Sequence, residues 1–324
     1  MNLLSVSTYS VREQLGPVVF DYGDADGNDV HIDLPYPKLL SLSDFPKRAH
    51  GDFGVDAIET VAFQFDGLED PDLDRFAGAL STAGVQLVNV AIDAGNLLEA
   101  DVSKRAADVA LIKRWIERFA AMGSQFVRVN PGSPFSPHHG EEPPAYLVAA
   151  LRELGAFSAE HGARLLVENH GGPSSDPAWM NSLLWSTGRD SCGLLLDLGN
   201  FDVLLGAAMA LGFSGEQIDP GQLFASLDLE PLYAGIEALA DRAELVHVKV
   251  HDVAADGTVG AVDLPRALGI LDAHGYSGPL TVEYEGSGGD PWTKCARVLD
   301  VVRARGEFHA EAIDTPANTS QEEN

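Results

Sequence analysis

Four strand-like runs in the second half of the chain each deliver a side chain able to bind a metal ion. ARLLVE stops at Glu168, GLLLD at Asp197 and LTVE at Glu283, while LVHVK carries His247. Packing alone gives no reason for four successive apolar runs to carry an acidic or imidazole group. Two glutamates, one aspartate and one histidine make an oxygen-rich donor set with a single imidazole. Such a set suits a hard or borderline divalent ion, Mn2+ or alternatively Mg2+ or Co2+. The lack of a Cys donor argues against structural zinc. Taken singly, each residue has an ordinary role open to it: a strand-end carboxylate often caps a helix or anchors a loop, and a strand histidine is often a satisfied core residue. Recurrence at the same end of four consecutive strands is what points to one shared site.

Other polar residues fall around the same strand ends. His170, just after Glu168-Asn169, is a candidate catalytic base or substrate contact, with capping of the next helix as the alternative. Asn200 lies three residues after Asp197 and is a substrate-contact candidate. Lys249 follows His247 by two and so shares its face of the strand, where it can steady an enolate or pair with a carboxylate. His251 is expected to face solvent. Asn130 ends an earlier strand, and His138 and His139 lie in the loop NPGSPFSPHHGEEPP that follows it. A loop of that length can act as a lid carrying an imidazole, and a surface His pair is the alternative. Glu285 faces the same way as Glu283 but farther out, so Glu283 is the ligand candidate.

These side chains need a scaffold that gathers strand ends, and the chain alternates strand with helix. Leu3–Ser7, Ala57–Val61, Val85–Ile92, Phe126–Val129, Arg164–Glu168, Gly193–Asp197, Glu244–Val250 and Pro279–Tyr284 read as eight strands. Helices are predicted from Ser43 to about Gly51, over Asp72–Ala83, around Ile112, Trp115, Ile116, Phe119 and Met122, over Pro144–His161, from Asp176 to about Thr187, and over Leu264–His274 and Pro291–Arg305. The pattern predicts an α/β (β/α)8 TIM barrel, in which strand C-termini share one mouth. Residues 10–40, rich in Asp, Gly and Pro, form an insertion after strand 1, as a long loop or small hairpin. Residues 201–242 exceed one crossover helix and predict a helical insertion after strand 6. An open doubly wound sheet is the competing topology, but STYSVREQLG carries no GxGxxG, and no P-loop occurs. The expected organisation is one barrel domain over residues 1–305 and an acidic polar tail over 306–324.

The chain has 324 residues, 45% of them hydrophobic, and a formal charge of −28 from 49 acidic and 21 basic side chains. So acidic a surface repels phosphate backbones and anionic lipid, so neither nucleic acid nor membrane is an expected partner. Cys192 and Cys295 sit in no CxxC and read as buried thiols. MNLLSVSTYS lacks the features of a signal peptide, and no run approaches ~18 apolar residues, so a cytoplasmic location is expected.

The motifs LLVENHGG, LLLDLGNF, LVHVKVHD and LTVEYEG resemble those of the xylose isomerase-like barrel superfamily of sugar phosphate isomerases and epimerases, whose four last strands carry Glu, Asp, His and Glu. The resemblance implies that Glu168, Asp197, His247 and Glu283 hold the metal, and that Glu168 and Glu283 also serve as acid/base pair. It implies a metal-dependent enzyme that abstracts a proton alpha to a metal-bound carbonyl. DNA-repair endonucleases of the same barrel carry extra histidines where this chain has Glu59, Asn89 and Asp93. Ketose epimerases carry an Arg soon after the strand-seven histidine, and VHVKVHDVAADGT has none. Length, the Pro/His-rich loop and the strand-six insertion are similar to the catalytic subunits of bacterial C-glycoside deglycosidases. That resemblance implies a lyase cleaving 3-keto C-glycosides by β-elimination, with a small β-rich second subunit and an oligomeric assembly. The alternative is a ketose or sugar phosphate isomerase or 3-epimerase, and a barrel that only binds a sugar is a third possibility.

Overall fold

The computed structural model describes residues 2–23, 29–132, 141–213 and 219–313. Its ten strands are β1 (Leu4–Ser7), β2 (Val18–Gly23), β3 (Asp29–Leu34), β4 (Ala57–Val61), β5 (Gln86–Ile92), β6 (Phe126–Val129), β7 (Arg164–Glu168), β8 (Gly193–Asp197), β9 (Ala243–Val250) and β10 (Leu280–Tyr284). Strands β1 and β4 to β10 close into an all-parallel barrel, in which β1 pairs with both β4 and β10. This is the predicted (β/α)8 fold, and closure removes the open-sheet alternative. The first insertion is a hairpin, with β2 antiparallel to β3.

The helices are α1 (Phe45–Phe53), α2 (Pro71–Ala83), α3 (Val102–Ala120), α4 (Ala145–Glu160), α5 (Pro177–Thr187), α6 (Asp202–Phe213), α7 (Pro220–Ala225), α8 (Glu230–Leu239), α9 (Leu264–Ala273) and α10 (Pro291–Ile313). The second insertion supplies α6 and α7 ahead of α8. Asp70, Asp101, Asp176 and Asp263 each cap a helix by accepting a backbone N–H in the first turn. Helix α10 runs past Arg305 to Ile313, so the helix takes in the start of the segment read as a tail.

Barrel strands are buried on both faces, which is why they read as near-continuous apolar runs. Their outward side chains, such as Val6, Ile58, Val127, Leu194 and Val282, join the helices in one large core that also buries both cysteines. Ala57, Val88, Phe126, Leu166, Leu195 and Leu245 form a separate plug inside the barrel. Two residues further along their strands, the same inward direction gives Glu59, Arg128, Glu168, Asp197 and His247, all buried. The barrel therefore has an apolar floor and a polar upper interior. A register shift between Leu194 and Leu195 accommodates an extra β9 residue, and beyond it Asp197 pairs with His247.

Candidate metal centre

The donor atoms of Glu168, Asp197 and His247 all lie within 4.8 Å of one another, and all three side chains are buried. His247 is the hub. Its Nδ1 is 3.5 Å from Glu168 Oε1, 3.4 Å from Asp197 Oδ2 and 3.8 Å from Glu283 Oε1. Nδ1 makes no hydrogen bond, and Asp197 Oδ2 has only the ion-pair contact with Lys249 Nζ at 3.0 Å. A buried ring nitrogen without a hydrogen bond is costly, and one ringed by carboxylate oxygens is suited to sharing a cation with them. The donor set and the unpaired Nδ1 fit a divalent ion held by Glu168, Asp197 and His247, with Glu283 in reach. Asn169 clamps the end of β8, donating to the Asp197 carbonyl at 2.9 Å and accepting from its N–H at 2.8 Å.

Two buried cations flank the acids. Lys249 Nζ lies 3.0 Å from Asp197 Oδ2, 3.3 Å from Glu283 Oε1 and 3.1 Å from Glu285 Oε1. Arg128 Nε lies 2.7 Å from Glu168 Oε2, and its Nη1 pairs with Asp93. Burial would raise the Glu168 carboxyl, but Arg128 and His170 outweigh it and hold the group well below the ordinary carboxylate range. Glu283 goes the other way: burial, with Glu285 and Asp197 adding, pushes it up to about 7 against the pull of His247 and Lys249. Burial would lower the pKa of His247, yet Glu59 and Glu283 lead a ring of acids that holds it well above its ordinary value. A field that favours a proton at that point also favours a metal cation. Lys249 is likewise held charged against burial by Asp197, Glu285 and Glu283.

The remaining sequence candidates divide. His170 reaches the centre, with Nδ1 3.3 Å from Glu168 Oε2 and its side chain 29% exposed, while its backbone N–H is taken by Ser174. Asn200 spans the site: Lys249 donates to its Oδ1 at 3.0 Å, and its Nδ2 donates to Glu168 Oε1 at 3.2 Å. Asn130 sits beside it, accepting from Arg128 at 2.7 Å and donating to Asp93 at 2.7 Å. Both amides are thus engaged in bracing charged groups. His138 and His139 lie outside the described residues. His251 does not face solvent: its side chain is 6% exposed, because Phe224 of α7 stacks on the ring at 6.0 Å. The added helical segment covers it, a tertiary effect with no local signal.

Sequence reading gave no role in the site to Arg128, nor to Glu59 and Asn89, which it named only as standing where the endonucleases carry histidines. Each is a polar residue inside an otherwise apolar strand, FVRV, AIETV and VQLVNVAI, and that interruption was the available signal.

Among the described residues, no helix is long and apolar enough to cross a membrane. No curated protein matches the chain by sequence. Several solved structures share the fold. An L-ribulose 3-epimerase superposes with a TM-score of 0.67 at 16% identity, covering 99% of this chain and 100% of that one. A 3-keto-D-glucoside 4-epimerase from E. coli gives 0.58 at 15% identity over 81% and 94% of the two chains. A xylose isomerase-like TIM barrel protein from Mycobacterium smegmatis, in complex with magnesium, gives 0.57 at 17% identity over 94% and 98%. Residues 48–305 match the sequence profile of the xylose isomerase-like TIM barrel family, and the chain belongs to that family.

Proposed function

We propose that the protein is a divalent-metal-dependent sugar isomerase or 3-epimerase that moves a proton on a carbon alpha to a ketose carbonyl. The observation that carries this reading is the convergence of Glu168, Asp197 and His247 within 4.8 Å, with His247 Nδ1 unpaired at its centre. A bound Mn2+, with Mg2+ or Co2+ as substitutes, would polarise a sugar carbonyl and acidify the adjacent C–H. Mg2+ gains weight from the magnesium-bound structure of the same fold.

The chain's own groups supply the proton transfers. Glu168, kept ionised by Arg128, is placed to take a proton, and Glu283, pushed up to about 7, is placed to exchange one near neutral pH. Lys249, 3.3 Å from Glu283, donates to the oxygen that gains negative charge as the proton leaves. His170, more accessible than His247, contacts the sugar or relays a proton. Asn130 and Asn200 hold the charged groups in place, and His138 and His139 contact the substrate. Epimerases among the similar structures favour this reading over the C-glycoside lyase that length, the Pro/His-rich loop and the strand-six insertion suggested.

The test is turnover after chelation and reloading with Mn2+, offering free ketohexoses beside a 3-keto C-glycoside. It is run with and without any small protein encoded next to this one. Epimerised or isomerised ketose supports the proposal. Aglycone release moves the assignment to the lyase, and dependence on the second protein would make that lyase a heteromer.

A further inference from the structure

Glu59 is a carboxylate inside the barrel whose ionic partner is the His247 ring. Its side chain is 1% exposed. Its Oε1 lies 2.7 Å from His247 Nε2 and accepts a second bond, at 2.6 Å, from Asn89 Nδ2. A carboxylate oxygen accepts and an amide nitrogen donates, so the hydrogen between Glu59 and His247 sits on Nε2. That leaves Nδ1, on the opposite edge of the ring, facing Glu168, Asp197 and Glu283 without a hydrogen bond. The backbone is shaped to support this contact. A register shift between Ile58 and Glu59 accommodates an extra residue in β5, so that Glu59 pairs with Asn89 rather than Val88. Val88 packs in the apolar floor while Asn89 reaches Glu59, so two consecutive β5 residues serve the barrel interior. Strands leave a regular ladder this way where a side chain must be re-aimed.

We propose that Glu59 is the positioning residue of the centre: held by Asn89, it locks the His247 ring so that Nδ1 is the atom offered to a divalent cation. This rests on the metal reading above. A ligating imidazole whose other ring nitrogen donates to a carboxylate is fixed in orientation and made a better donor.

The experiment is a Mn2+ titration of the wild type, Glu59→Gln and Asn89→Ala, with melting temperature measured in chelator as a check on folding. NMR of the imidazole ring nitrogens follows in the Mg2+-loaded proteins. Glu59→Gln keeps the shape of the side chain and removes its charge. The expected result is a dissociation constant raised by about 10- to 100-fold, and loss of the strongly hydrogen-bonded Nε2–H signal of His247. Asn89→Ala weakens binding in the same direction by a smaller factor, and decides the matter if Glu59→Gln does not fold. Wild-type binding matched within about twofold by both variants overturns the role of Glu59 and leaves the centre standing, since losses at supporting positions of this kind are tenfold or more. A wild type that binds neither Mn2+ nor Mg2+ overturns the centre itself and this inference with it.

Discussion

Replacing Arg128 by Met removes the guanidinium facing Glu168 while keeping much of its apolar stem. The pair is deeply buried, with side-chain exposures of 4% and 1% and an Nε–Oε2 distance of 2.7 Å. Two unit charges about 4 Å apart interact by about 4 kcal/mol at an effective dielectric near 20. Removing one member of a buried pair costs about 3–5 kcal/mol, because the other charge is left unpaired. Asp93 and Asn130 also lose a partner, but Asp93 is 21% exposed and water can replace it. The assay is urea unfolding of wild type and variant across pH. The folded-state pKa of Glu168 is depressed below 4.5, so its stabilisation is present above that value and is lost as pH falls through the depressed pKa. The gap between the two proteins is therefore expected to be full at neutral pH and to close in acid. A gap under about 1 kcal/mol at neutral pH, the range of an exposed pair, would refute the reasoning. So would a gap of the expected size that does not close in acid.

Other outcomes follow from the same geometry. Glu168→Gln and Glu283→Gln are each expected to lower turnover by about 10²- to 10⁴-fold, with far-UV circular dichroism unchanged. Unchanged turnover in both would remove the acid/base roles. Because Glu283 holds a proton up to about 7 and His247 holds one well above its ordinary value, and both must leave before a metal can bind, apparent Mn2+ affinity measured by titration should fall as pH drops, by up to about tenfold per unit for each proton displaced. Gly199→Ala would bring a methyl group within 2.9 Å of the Lys249 side chain. The expected cost is about 1–3 kcal/mol in unfolding, together with a loss of turnover as Lys249 moves off Asp197 and Glu283.

The strands were legible because they obey a local rule. AIETV, FVRV, ARLLVE and GLLLD are short, largely apolar runs; four of the eight barrel strands have the predicted bounds, and the other four differ by one residue at their start. The gathering of Glu168, Asp197 and His247 was legible for a topological reason: parallel closure sends every strand end to one mouth. Glu59 and Arg128 were not, because their roles depend on partners across the barrel: His247, 188 residues away, for the first and Glu168 for the second. The covering of His251 was hidden for the same reason, since it depends on where an inserted helix comes to rest. The hairpin after β1 stood as one of two options, because Asp, Gly and Pro mark turns without fixing whether the flanking segments pair.

Solvent exchange of the substrate proton bears most directly on the proposal. Metal-loaded protein is incubated with ketohexoses in deuterated water, and the recovered sugar is examined by NMR and mass spectrometry. The expected result is deuterium on a carbon next to the carbonyl, dependent on the added metal and strongly reduced in Glu168→Gln and Glu283→Gln. Stoichiometric metal binding with no deuterium in any sugar offered, or exchange untouched by both substitutions, would contradict proton transfer by these two carboxylates at the Glu168–Asp197–His247 centre.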